Sequence, residues 1–193
     1  MKTVILATGN QGKVDEMQRE LKSFGFSVLP QSDFDIGEAV EDGLSFVENA
    51  IKKARYACLH TGHAAIADDS GLEVDALDGA PGIYSARYAD GLGDAANNKK
   101  FLEALKNSNA RTARYQCVIA YMRHAEDPTP TICQGSWEGS IANSASGSNG
   151  FGYDPIFYVS EFNCTAAELE PSQKKSLSHR AKALALLKTA LHS

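Results

Sequence analysis

Ala64-Ala65-Ile66-Ala67-Asp68-Asp69-Ser70-Gly71 runs from four apolar residues straight into two adjacent carboxylates. The apolar run reads as a buried strand, and buried carboxylates are costly unless something cationic stands beside them. Strand side chains alternate between faces, so Asp68 and Asp69 cannot aim at one point. One is expected to face a cleft while the other is tied up inside the protein. Taken alone, Asp68-Asp69-Ser70-Gly71 reads equally well as a strand-ending turn, since Asp, Ser and Gly are good turn formers.

Outward from that strand, apolar periodicity alternates between helix and strand spacing. Residues 4–8 read as a strand, and residues 13–24 as a helix with Val14, Met17, Leu21 and Phe24 on one face. Ser45-Phe46-Val47-Glu48 is a capping box opening a second helix through Ala50, Ile51, Ala54 and Cys58. A strand over residues 72–77 and a helix capped by Asp94 follow. Residues 114–124 form a long strand that Asp127-Pro128-Thr129-Pro130 turns back into a second one, residues 131–137, and so short a connection favours antiparallel pairing. Residues 143–150, rich in Ser, Gly and Asn, read as a flexible loop leading to an aromatic strand over 151–159. Ser178 caps a last helix with Ala181, Leu184, Leu187 and Leu191 inward. This order predicts an α/β protein with a mixed β-sheet flanked by helices.

Bulk composition narrows the function classes. The 193 residues favour one domain of two lobes, 22% charged and 43% hydrophobic. A net charge of -5 with no basic block argues against nucleic acid as a partner. Cys58, Cys117, Cys133 and Cys164 stand far apart, so zinc-type spacing is absent and reduced thiols in a cytoplasmic protein are expected. No apolar stretch approaches membrane-spanning length, and the N-terminal apolar run is too short for a secretion signal.

Four further stretches carry candidate chemistry. Thr8-Gly9-Asn10-Gln11-Gly12-Lys13 lies between strand and helix, where free amides and the helix dipole favour an anion. It is not a Walker A loop, because Gly9 is too close to Lys13 and Val14 stands where the metal-binding hydroxyl belongs. An ordinary glycine-rich turn is the plainer alternative. Glu41-Asp42-Gly43 precedes the second helix, along which Lys52, Lys53 and Arg55 lie; helix-dipole complementation and solvated lysines are the bland reading. The functional reading joins Glu41 to Asp69 around a hard cation, magnesium rather than zinc, with Lys53 reaching a phosphate. Phe151-Gly152-Tyr153-Asp154 offers an aromatic face, a close-approach glycine and a carboxylate, suited to a base or sugar, or simply to a core strand entering a turn. His179 and Arg180 sit in the first turn of a helix, where the dipole disfavours cations. A locally broken rule marks a candidate site unless both side chains point into water.

Six pieces in order resemble the ITPase family, pyrophosphatases acting on aberrant purine nucleoside triphosphates. They are Thr8-Gly9-Asn10-x-x-Lys13; Glu41-Asp42-Gly43-x-x-Phe46-x-Glu48-Asn49-Ala50-x-x-Lys53-Ala54; Ala67-Asp68-Asp69-Ser70-Gly71-Leu72; Gly79-Ala80-Pro81-Gly82-x-x-Ser85-Ala86-Arg87-Tyr88; Gly150-Phe151-Gly152-Tyr153-Asp154-Pro155-Ile156-Phe157; and Lys174-x-x-x-Ser178-His179-Arg180-x-x-Ala183. Each is weak alone, but together they cover nearly the whole chain. Residues 143–147 depart from the family by lacking a Pro and an Arg, so no contact is carried over to them.

The resemblance implies one domain over 1–193, an elongated two-lobed fold with the substrate in a central cleft, and a homodimer. It implies magnesium-dependent cleavage of ITP, dITP or XTP between the α and β phosphates, giving a monophosphate and pyrophosphate. Thr8, Gly9, Asn10, Gln11, Gly12, Lys13 and Lys53 would hold the triphosphate. Glu41 and Asp69 would hold the metal, with Asp69 also the base for the attacking water. Ser70, Phe151, Gly152, Tyr153, Asp154, Lys174, His179 and Arg180 would hold the nucleotide, mostly at its base. Two rivals remain: a non-catalytic nucleotide- or RNA-binding module, which leaves the acidic residues unexplained, and a generic magnesium phosphatase releasing orthophosphate.

Overall fold

The computed structural model describes residues 2–192, without the side chain of Ser23. Seven strands form one sheet in the order β2-β1-β3-β4-β5-β6-β7: β1 is Lys2–Leu6, β2 Phe26–Pro30, β3 Ala64–Val74, β4 Thr112–Met122, β5 Thr131–Ile141, β6 Phe157–Val159 and β7 Cys164–Thr165. β1 pairs in parallel with β2 and β3, whereas β6 pairs antiparallel with β5 and β7. The expected mixed sheet is therefore present. Among the described residues five α-helices accompany it: α1 Gln11–Leu21, α2 Phe46–Thr61, α3 Asp94–Ala104, α4 Pro171–Leu177 and α5 His179–His192. No helix among the described residues is long and apolar enough to cross a membrane.

The chain divides into two compact units, one of Met1–Asp69, Val118–Gln134 and Ala183–Ser193, the other of Ser70–Cys117 and Gly135–Lys182. In the first, β1 lies between two parallel neighbours, and Val4, Ile5 and Leu6 are fully buried. That burial is why the strand is a continuous apolar run rather than an alternating one. Val14, Met17 and Leu21 bury the inward stripe of α1, as their helical spacing predicts. The second unit has its own core, in which Phe101, Tyr115, Trp137 and Phe157 are buried together. All four cysteines are free thiols.

Several expectations need correction. Asp68-Asp69-Ser70-Gly71 does not end a strand; it lies inside the 11-residue β3, which absorbs the separate strand expected over 72–77. Strand hydrogen bonding tolerates the tetrapeptide because its carboxylates find partners on each face. The aromatic strand expected over 151–159 shrinks to the three residues of β6, and Phe151–Ile156 is a series of turns. Asp94 does not cap α3: it is the first helical residue, behind Gly93, and its carboxylate accepts from the Gly152 amide at 2.7 Å. β2 and α4 have no counterpart in the sequence reading. The loop over 143–150 is irregular but anchored, since Ser146 N donates to Pro155 O and Asn149 N to Ala167 O.

Candidate active site

The loop from β1 into α1 builds itself from short polar side chains. Thr8 Oγ1 accepts from Asn10 N at 3.2 Å, and Asn10 caps α1 by accepting from Lys13 N at 3.1 Å. The amides of Gln11 and Gly12 head the helix, beyond the reach of any intrahelical carbonyl. Gly9, Asn10, Gln11 and Gly12 are exposed, so a ligand has access to the helix's positive end.

β3 sends Asp68 and Asp69 to different partners, as alternation requires. Lys13 Nζ contacts both oxygens of Asp68, at 3.0 and 2.8 Å, and the Asp68 side chain is 1% exposed. Asp68 is thus the internally tied carboxylate. The charge of Lys13, expected from sequence to help hold an anion, is shared with it.

Asp69 faces α2. Lys53 Nζ lies 3.2 Å from Asp69 Oδ1 and 3.3 Å from Glu41 Oε1, so two carboxylates converge on a single cation. Asn49, one turn before Lys53 on the same helix face, donates to Asp69 Oδ2 at 3.2 Å. Its Oδ1 accepts from Gly43 N at 2.9 Å, joining the Glu41-Asp42-Gly43 loop to β3. The loop can come that close because residue 43 is glycine: a Cβ there would stand 2.6 Å from Asn49 Oδ1. Ser45 caps α2 with Glu48, as expected from the capping box.

The electrostatics show an electron-rich centre. Burial, the largest influence, lifts the Asp69 carboxyl above the ordinary range; Lys53 pulls it down, and nearby Glu41 pushes it up. For Lys53, burial favours loss of the proton, yet Asp69, Asp68 and Glu41 outweigh it and raise its proton affinity. The two shifts have different origins: burial dominates at Asp69, whereas at Lys53 three neighbouring carboxylates together outweigh burial. Carboxylate oxygens converging on one cation are the donors a hard divalent ion prefers. Glu41 and Asp69 are the pair able to hold such an ion, although no group of three or more His, Cys, Asp or Glu side chains forms a ready metal cluster among the described residues.

In the second unit Phe151 and Lys174 meet at Asp154, which is 2% exposed. Its Oδ2 accepts from Phe151 N at 2.8 Å and pairs with Lys174 Nζ, which lies 5.0 Å from the centre of the Phe151 ring. Phe151 itself is 65% exposed, a large aromatic face open to a ligand. Tyr153 is buried instead, and its hydroxyl donates to Ser85 O at 2.8 Å. Asp154 and Tyr153 are therefore internal supports, leaving Phe151 and Lys174 as the accessible members. Ser70, half-buried, is the first residue of this unit on β3.

Lys174 belongs to α4 and the next two candidates to α5, separated by Ser178 in extended conformation. Ser178 Oγ accepts from Ala181 N at 3.2 Å, so His179 and Arg180 do open the last helix. The His179 ring stacks on Tyr115 at 4.8 Å and 14°. Lys175, one residue from Lys174, is exposed.

Sequence reasoning missed Asn49 as a functional residue. Its signal was present, four residues before Lys53 in a quoted motif, but its importance depends on where β3 runs. Replacing Asn49 by Ala leaves the buried Gly43 amide without its acceptor, at a cost of about 1–3 kcal/mol. It also releases one oxygen of Asp69. Thermal melting with kcat should show both losses; a less stable enzyme with undiminished kcat would deny Asn49 any part in positioning Asp69.

Known proteins resemble this chain over almost its whole length. The dITP/XTP pyrophosphatase of Thioalkalivibrio sulfidiphilus is 60% identical over 187 residues, covering 95% of each chain. That of Vibrio cholerae is 58% identical, over 99% of this chain and 97% of its own. Among solved structures, a HAM1 protein from Coxiella burnetii superposes with a TM-score of 0.97 at 48% identity, covering 100% of this chain and 99% of its own. The sequence model of the Ham1 family matches residues 4–190. A family model over residues 4–190 and relatives at 58–60% identity bear out the resemblance drawn from six motifs: the chain belongs to the Ham1 family.

Proposed function

We infer that this protein hydrolyses the non-standard purine nucleoside triphosphates ITP, dITP and XTP to the monophosphate and pyrophosphate. The observation that carries the chemistry is the convergence of Glu41 and Asp69 on one cation, Lys53, beside a phosphate-type loop in the same unit. The substrate class rests on the likeness to dITP/XTP pyrophosphatases.

Water attacks the α-phosphorus, the bond to the bridging oxygen breaks, and pyrophosphate leaves. Asp69 takes the water's proton, and its raised proton affinity suits it to that step. The free amides of Gln11 and Gly12 in the Thr8–Lys13 loop, with the Lys13 and Lys53 ammonium groups, bind the triphosphate and offset its charge. Glu41 and Asp69 would hold a magnesium ion, which supplies positive charge to the phosphoryl oxygens when bound. At the other end, Phe151 stacks against the purine, and Asp154 keeps Lys174 aimed. Hypoxanthine and xanthine carry a 6-oxo acceptor where adenine carries an amino donor. Lys174 and Arg180 are permanent donors, and Lys174 retains further N–H groups beyond the one given to Asp154. Sites built on such a hydrogen bond discriminate by up to about 10⁴-fold.

The chain is then one two-lobed domain. The working form is a cytoplasmic homodimer without nucleic-acid or membrane partners.

The test is product identity. ITP should yield pyrophosphate and IMP, with turnover lost on thorough chelation and restored by magnesium. Orthophosphate as the first product points to a generic phosphatase. Binding without any turnover points to a non-catalytic module, and full activity after chelation removes the metal from the mechanism.

A further inference from the structure

Tyr115 belongs to none of the motifs, yet it touches both flanks of the base-end cluster. It sits on β4 and is 8% exposed. Its hydroxyl donates to Asp154 Oδ1 at 3.4 Å, the oxygen opposite the one that takes Phe151 N and Lys174 Nζ. The same ring stacks on His179, and Phe157 backs it at a centroid distance of 4.6 Å.

The two oxygens of Asp154 have different tasks. Oδ2 aims Lys174, and Oδ1 determines how the carboxylate plane is turned. With the Asp154 side chain 3% exposed, water has little access to replace a missing donor. Burial, reinforced by the Asp154 charge, holds the Tyr115 proton well beyond the ordinary phenol range, so the hydroxyl is a donor throughout the working pH. A carboxylate released from Tyr115 keeps only its Oδ2 contacts to Phe151 N and Lys174, and pivots about them so that the Lys174 ammonium shifts with it. We propose that Tyr115 is a positioning residue for purine recognition, fixing Lys174 through Asp154 and His179 through ring stacking. This rests on Lys174 contacting the base, as proposed above.

Tyr115→Phe isolates the hydroxyl, because phenylalanine keeps the stack on His179 and the packing on Phe157. Steady-state kinetics with ITP should give a KM raised about fivefold with kcat within about twofold, as expected for an interaction used in binding rather than chemistry. The melting temperature should stay near wild type. Because the effect passes through Lys174, adding Tyr115→Phe to Lys174→Ala should change KM no further. A folded Tyr115→Phe enzyme with wild-type KM, while Lys174→Ala raises KM, overturns the role given to Tyr115 alone. So do additive effects in the double variant. If Lys174→Ala itself leaves KM for ITP unchanged, the base-end reading fails, and the role of Tyr115 with it.

Discussion

Asp69→Asn should reduce kcat for ITP by about 10³-fold or more, the upper part of the range for loss of a general base, because charge for the metal is lost with it. Nucleotide binding should remain, since the Thr8–Lys13 loop, Lys53 and the base-end cluster are untouched. The melting temperature should change little, because relief of a buried charge opposes the loss of one of the two carboxylates that Lys53 faces. A raised carboxyl pKa means that the folded state binds more protons than the unfolded chain just above the ordinary Asp range. Stability from this group is present at low pH and is lost as pH rises through the folded-state value. Ionised Asp69 is therefore a liability to the metal-free fold at neutral pH; a neutral amide relieves the charge but turns its NH2 towards either Lys53 or Asn49, both donors. Asp68→Asn is the contrast. It removes one partner of a buried pair, with a stability cost below the usual 3–5 kcal/mol (about 2 kcal/mol) because Lys13 stays 23% exposed. Its kcat should fall far less. Melting curves without metal, set beside kcat with magnesium, decide the matter: near-normal turnover in Asp69→Asn with an inactive Asp68→Asn would reverse the two roles.

Gly150→Ala should damage the second unit severely. Gly150 has φ +79, and a Cβ there would lie 2.1 Å from Asp154 Oδ2 and 2.9 Å from Lys174 Nζ. The left-handed backbone alone costs an alanine about 1–2 kcal/mol. Separating a buried carboxylate from its ammonium adds to this, for a total of about 3 kcal/mol or more. A chain of this size loses roughly 2–4 °C of melting temperature per kcal/mol, so a fall of about 6–12 °C is expected. Gly152→Ala is the matched comparison, with φ +63 but nothing within 4 Å of the added carbon. It should bear only the backbone cost of about 1–2 kcal/mol. Differential scanning calorimetry of the two variants separates crowding from backbone strain. Equal losses would show that Gly150 is needed for its φ alone, and that the ion pair accommodates a methyl group.

What the sequence disclosed, it disclosed through periodicity and capping. Val14, Met17 and Leu21 placed α1, Ser45 with Glu48 placed the start of α2, and Ser178 placed α5, because each signal acts within a turn or two of itself. β2 escaped because its apolar pattern is short and ends at Pro30, tolerable only on the outermost strand of the sheet. α4 did announce itself, with Pro171 in its first turn and Glu170 boxed with Gln173, signals the reading overlooked. The turns over Phe151–Ile156 carry strand-forming residues; the Asp154 carboxylate holding Phe151 N overrides their propensity. For the site, residue types were legible and pairings were not. No spacing rule places Lys53 at both Glu41 and Asp69, or joins Tyr115 to a carboxylate 39 positions away.

Because Asp68 and Asp69 stand side by side within an extended strand, their assignments form a binary setting rather than a graded one. A loop that presents catalytic groups can drift, lengthen or be rebuilt by small increments, each intermediate retaining some function. Here the parity of the chain decides which carboxylate meets Lys13 and which meets Lys53. Inserting or deleting one residue between Ala64 and Asp68 would exchange the two sides at a stroke, whatever chemical identity were preserved. The heritable quantity at this position is frame as much as composition, so descendants of this chain are free to remodel its turns while the count of residues leading into the two acids stays fixed.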